Sequence, residues 1–236
     1  ILRVFISETI GAGVRKAGVF GYTYNMPVAI FAQRIHAVLN SRRFFWVVFG
    51  FFVFQACWIA FSAVYPMAFD EDFHFGLVKI YAQHWSPFLA GQPAGADAFG
   101  AVARDPSYLY HYLMSFPYRL VALFTHSQMA QVIVLRVLNI ALFGWGLVLF
   151  RRVLLEAKAP PALAHTAIGL FVLIPIVPQL AGQINYDNLL MPCTAGALLL
   201  TLNVAASVRR GSLDFKLVGW LLVVGLLASL VKYAFL

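Results

Sequence analysis

Charged side chains are scarce in this sequence. They make up 11% of its 236 residues, whereas 62% are hydrophobic. An ordinary soluble domain is about 25% charged and roughly 45–50% apolar. A soluble fold of this length has too little interior to hide so much apolar surface, so lipid is the expected solvent for much of it. Acidic residues are scarcer still, with 9 Asp and Glu against 17 Lys and Arg. Such a surplus can serve nucleic-acid binding, but in membrane proteins basic residues report orientation.

Cysteine is almost missing. Cys57 and Cys193 both lie inside apolar runs, with no CxxC pair and no Cys/His cluster. That excludes a disulfide framework or a thiolate metal site, and the two thiols read as packing residues. There is no internal repeat and no low-complexity linker. A cleavable signal peptide is also lacking, because the first long apolar run begins only after Arg43 and is long enough to span. The sequence opens on Ile1 and closes at Leu236 inside an apolar run, so a portion of a longer chain is expected.

What is abundant is long apolar runs. A helix needs about 20 mostly apolar residues to cross the hydrocarbon core. Five runs meet that length: 44–66, 129–150, 162–182, 189–207 and 217–236. The expected fold is all-α, a polytopic transmembrane helix bundle, with a first external loop over 67–128. Residues 1–43 form a basic segment, in which Pro27 to Leu39 has the periodicity of an interfacial helix.

Sidedness follows from Lys and Arg. With the N-terminus inside, the cytoplasmic set is Arg3, Arg15, Lys16, Arg34, Arg42, Arg43, Arg151, Arg152, Lys158, Arg209, Arg210 and Lys216. Lys79, Arg104, Arg119, Arg136 and Lys232 fall on the other side, and every loop then obeys the positive-inside rule. The basic surplus is therefore a topology signal with affinity for anionic lipid, and nucleic acid is not an expected partner. The same rule forbids counting Ser107 to Phe124 as a sixth span. Its Tyr108, Tyr110, His111, Tyr112, Tyr118 and Arg119 suit a helix lying in the outer interface. The Gly- and Ala-rich stretch Ala90 to Ala103 reads as a mobile loop.

Three features could carry chemistry. The external loop opens with Asp70-Glu71-Asp72 and His74, flanked by aromatics. Asp70 and His74 stand at i and i+4 if a helix starts there. Clustered carboxylates can raise one another's pKa, bind a divalent cation or deprotonate a hydroxyl. The plain alternative is an acidic helix start that keeps the loop outside. Asn185-Tyr186-Asp187-Asn188 fills the gap between the third and fourth runs, as a cation site or an Asx cap. Lys232 and Arg136 interrupt apolar runs, as functional charges or as snorkelling side chains.

In order, these pieces resemble the GT-C superfamily of polyprenyl-phosphate-sugar glycosyltransferases, among them protein O-mannosyltransferases and lipid A aminoarabinose transferases. The matching pieces are Asp70-Glu71-Asp72, Asp105-Pro106-Ser107-Tyr108-Leu109-Tyr110-His111-Tyr112-Leu113, Leu135-Arg136-Val137-Leu138-Asn139, Tyr186-Asp187-Asn188-Leu189-Leu190 and Leu230-Val231-Lys232-Tyr233. Ser107 stands where the family's interfacial motif has a second proline, and residues 1–43 have no counterpart.

The resemblance implies sugar transfer from a polyprenyl-phosphate donor to a lipid, glycan or protein acceptor at the external face, in a bacterial inner membrane. On it, Asp70 or Glu71 is the expected catalytic base. Asp72, His74 and Asp187 would hold a divalent cation or the acceptor. Lys232, Arg136 and Arg119 would contact the lipid phosphate, and Tyr108 and His111 would lie at the interface. A non-catalytic membrane subunit or lipid-phosphate-binding scaffold, working with partner subunits, is the main alternative. A transporter is disfavoured by the uncharged first, third and fourth runs.

Overall fold

Helix starts and stops along the chain are set by local chemistry. A computed structural model describes residues 26–67 and 70–233, and all regular structure among them is helical. The first helix, α1 (Met26–Asn40), is followed at once by α2 (Arg42–Ser62), whose start is capped by the Ser41 hydroxyl accepting from the Phe44 N–H at 3.1 Å. Residues Arg3, Arg15 and Lys16 lie outside the described part.

The loop after α2 carries α3 (Glu71–Tyr81), two short 3₁₀ turns and α4 (Leu109–Ala122). Ser127 then caps α5 (Gln128–Glu156), the longest helix described at 29 residues. The run expected as one span over 162–182 is instead two helices, α6 (Pro161–Val172) and α7 (Ile176–Ala181). Pro175 and Pro178 offer no N–H to the preceding turn, which breaks the helix there. α8 (Asp187–Arg209) and α9 (Phe215–Val231) follow, α9 being capped by Asp214.

Among the described residues three helices, α2, α5 and α8, are long and apolar enough to cross a membrane. Their outward faces suit lipid: Phe54 and Trp58 on α2 are about two-thirds exposed although both are large and apolar. α6 and α9 are apolar but shorter. α4 has 14 residues, or about 21 Å of helix, against a hydrocarbon core of about 30 Å. It packs on α3 and α5 rather than standing alone.

α5 is the central helix, packed most closely on α8, while α8 also carries α9. Gly146 permits the first approach. A Cβ there would sit 2.9 Å from the Met191 Cβ, closer than packed carbons come. One apolar core joins α2, α5, α6 and α7 through Phe52, Phe143, Ile168 and Val177. A second joins α3, α4, α5 and α9 through Phe75, Tyr110, Leu135 and Val231, and the candidate site lies over it.

Candidate functional site

The acidic triplet does not act as a unit. Successive residues on a helix point about 100° apart, and the three carboxylates have three fates. Glu71 turns inward and is fully buried. Asp72 stays exposed and accepts from the Tyr65 hydroxyl at 2.5 Å. Asp70 stands ahead of the helix with φ +60°, a left-handed conformation uncommon outside glycine but tolerated by Asp. Its carboxylate is exposed and has no hydrogen-bond partner among the described residues.

Glu71 meets Arg136. The guanidinium Nε donates to Oε1 at 2.8 Å and Nη2 to Oε2 at 2.7 Å, and both side chains are fully buried. Arg136 Nη1 donates to the carbonyls of Ala60, in the last turn of α2, and of Ala63, its C-cap. The Glu71 carboxylate also accepts from the backbone N–H groups of Met67 and Ile184. Every charged atom of the pair is thus satisfied internally, a requirement for burying ions. This changes two sequence expectations: Glu71 has no lone pair left for a substrate proton, and Arg136 is fully buried with four of its five N–H groups engaged, out of reach of a phosphate at the surface.

Arg119 is held in a structural role, although its Nη1 is sealed from solvent with no hydrogen-bond partner among the described residues. Its Nε and Nη2 donate to the carbonyls of Ala82, Tyr81 and His84, and its plane lies 4.3 Å from the Trp85 ring centroid. It closes the C-terminus of α3 and ties that helix to α4.

The remaining polar groups do converge. Lys232, the residue that ends α9, places Nζ 3.1 Å from Asp187 Oδ1 and 4.6 Å over the Tyr186 ring. Both charges are about one-third exposed. His74 also meets the Tyr186 ring edge to face, ring centroids 4.7 Å apart. His74 Nδ1 is 2.9 Å from His111 Nε2, the two rings stacked. Burial pushes the His74 imidazole down to about 4, with Lys232 acting in the same direction and Asp70 and Asp187 against it. Burial, and His74 itself, push His111 down to about 3. Both rings are therefore neutral near pH 7.

His111 faces the protein interior, being only 2% exposed. Tyr108 is half-buried against Phe88. Asp72, His74 and Asp187 do not form a cation site either. Each faces a different partner, and among the described residues no three His, Cys, Asp or Glu side chains are disposed to hold a metal ion. The residues present do not fit the divalent cation that the resemblance implies.

Beneath the site lies a polar layer whose members the sequence reading named only within its separate pieces, without joining them. The Tyr110 hydroxyl donates to Asn139 Oδ1 at 2.9 Å, and Asn188 Nδ2 donates to the same oxygen. Asn139 follows Arg136 by three residues, so both face the α3–α8 side of α5. Two polar residues at that spacing inside an apolar run were the available signal.

No protein-family model, curated protein or solved structure matches the chain.

Proposed function

We propose that this chain is a polytopic membrane glycosyltransferase of the GT-C type, moving a sugar from a polyprenyl-phosphate donor to an acceptor at the outer face of a bacterial inner membrane. In this reading α2, α5, the α6–α7 pair, α8 and α9 make five crossings, with the start of α2 on the cytoplasmic side. The charge distribution supports it. Arg42, Arg43, Arg151, Arg152, Arg209, Arg210 and Lys216 lie at one set of helix ends. Asp70, Asp187 and Lys232 lie at the other.

The observation that carries the reading is the Lys232 ammonium, partly exposed beside Asp187, together with the exposed Asp70 carboxylate at the start of α3, which has no hydrogen-bond partner among the described residues. Transfer needs both kinds of group. The acceptor hydroxyl attacks the anomeric carbon, the bond from that carbon to the lipid phosphate oxygen breaks, and the lipid leaves as its phosphate. Asp70 takes the hydroxyl proton, and Lys232 offsets the charge on the departing phosphate. With Glu71 consumed by Arg136, Asp70 is the base of choice.

One observation favours the scaffold alternative: the Lys232 charge is already matched by Asp187. The two readings part on turnover. The full chain in nanodiscs is mixed with undecaprenyl phosphate carrying a radiolabelled hexose and with membrane extract as acceptor. The enzyme reading expects release of undecaprenyl phosphate, lost at least a hundredfold in Asp70→Asn, a typical share for a general base. Release that is absent, or equal in Asp70→Asn, refutes it.

A further inference from the structure

Arginines gather where α1 ends, α2 begins and α5 finishes. Arg42 and Arg43 open α2, in a first turn that holds no acid. Cations there stand against the positive end of the helix dipole. Arg151 and Arg152 lie near the end of α5, about 23 Å along that helix from Arg136. No salt bridge joins any of these four to a carboxylate among the described residues. Basic residues at one set of helix ends fix sidedness, and loosely tethered side chains would do that as well. Arg151 is held in a way that sidedness does not require.

His165 of α6 does the holding, from a buried position. Its Nδ1 lies 2.8 Å from the Leu39 carbonyl oxygen, and its Nε2 accepts from Arg151 Nε at 3.0 Å. A carbonyl oxygen receives only an N–H, and a guanidinium has only N–H groups to give. The two contacts therefore fix the ring as neutral, protonated at Nδ1 and bare at Nε2. The Arg151 guanidinium also lies 4.9 Å from the Phe45 ring centroid. It is fixed through one nitrogen and one face. Nη1 and Nη2 have no hydrogen-bond partner among the described residues, and neither is sealed from solvent. Arg42, exposed, stands three residues before Phe45 on the same face of α2. Its charge therefore joins that of Arg151.

Unmatched guanidinium N–H groups in a fixed fork suit an oxyanion, and a phosphate meets such a fork through two oxygens. An anion here would also offset the unfavourable charges in the first turn of α2. The surroundings indicate its source. Val38, beside Leu39, and Trp46 and Val47, beside Phe45, all turn large apolar side chains outward. That rim suits acyl chains, not a free ion in water. We infer that this corner of the bundle binds one anionic phospholipid, its phosphate bridging Arg151 and Arg42 and its acyl chains lying against Val38, Trp46 and Val47. His165 is the positioning residue that aims the Arg151 fork and does not touch the lipid. The site stands at the helix ends opposite Asp70 and Lys232, and it does not depend on the proposed sugar transfer.

Native mass spectrometry of the full chain in detergent micelles tests it, with phosphatidylglycerol and phosphatidylcholine of the same acyl chains added in equal amounts. Wild type should retain one phosphatidylglycerol about tenfold over phosphatidylcholine, as a charge-assisted contact allows. Arg151→Gln should lose that preference, and so should Arg42→Gln, a change at an exposed position that leaves the packing intact. His165→Asn keeps an amide N–H toward the Leu39 carbonyl but offers nothing to Arg151, and should lose most of the preference. His165→Gln places its amide oxygen near the Nε2 position and should keep part of it. Arg209→Gln with Arg210→Gln, at the end of α8, should keep all of it. No preference in wild type overturns the inference. So does a preference retained in monodisperse Arg151→Gln or Arg42→Gln protein, or one lost equally in the Arg209 and Arg210 variant. Displacement of the lipid by inorganic phosphate in millimolar excess overturns the lipid as the occupant. None of these outcomes bears on the sugar transfer, which is tested by turnover.

Discussion

Glu71 and Arg136 grip each other through two parallel hydrogen bonds of 2.8 and 2.7 Å, 65 residues apart in sequence and fully shielded from solvent. The pair locks the end of α2, the start of α3 and the first third of α5 into one arrangement, because Arg136 also holds the Ala60 and Ala63 carbonyls. Asp70 and His74 flank Glu71 on α3. Their placement in the site therefore depends on a contact that takes no part in the chemistry.

Removing one partner leaves the other charge buried and unmatched, which costs about 3–5 kcal/mol. Glu71→Gln and Arg136→Met should each lower the thermal unfolding midpoint of the detergent-solubilised protein by several degrees. The apolar pair Glu71→Leu with Arg136→Met should recover most of the loss. A Glu71→Gln protein as stable as wild type but catalytically dead would restore Glu71 as the base.

The sequence was read well where one helix is its own evidence. Run length and composition anticipate α2, α5 and α8 to within a few residues at most ends, because an apolar run of span length has few alternatives. The α6–α7 break follows from Pro175 and Pro178, which an apolarity count passes over. At the site the difficulty was of another kind. Adjacent acids on a string suggest one cluster, but helix geometry turns Glu71 in and leaves Asp72 out. The pairing of Glu71 with Arg136 depends on how α5 packs, which no local pattern states. Lys232 and Asp187 are drawn together by the contact of α9 with α8. That ion pair joins residues 45 apart in sequence, so it depends on helix packing and not on any local pattern.

The neutral imidazoles predict a pH dependence. His74 is held down at about 4 and His111 at about 3, against about 6.5 in an unfolded chain. Between those limits the unfolded chain binds protons that the folded one refuses, so stability falls with falling pH. It should be complete above about pH 6.5 and decline as pH drops toward 4 and then 3. Carboxylates act over part of the same window, so the readout is a difference. The fall in unfolding midpoint from pH 7 to pH 4 should be smaller in His111→Gln than in wild type. An equal slope would mean that folding leaves the His111 pKa unshifted.

Sidedness can be tested without any activity. With Cys57 and Cys193 replaced by Ala, a membrane-impermeant maleimide should label Asp97→Cys in intact cells and Arg209→Cys only in inverted vesicles. Labelling of both from one side would undo the five-crossing arrangement and place Asp70 and Lys232 on opposite faces.

The most direct measurement concerns Lys232. Undecaprenyl phosphate is titrated into the purified full chain, and binding is followed by native mass spectrometry for wild type, Lys232→Ala and Lys232→Arg. A charge-assisted contact to phosphate contributes about 1.5–3 kcal/mol, or roughly 10- to 100-fold in affinity. Lys232→Ala should lose that factor while remaining monodisperse, and Lys232→Arg should lose much less, since the guanidinium keeps the charge. Equal binding by wild type and Lys232→Ala would contradict the assignment of this ammonium to a lipid phosphate, and with it the proposed donor.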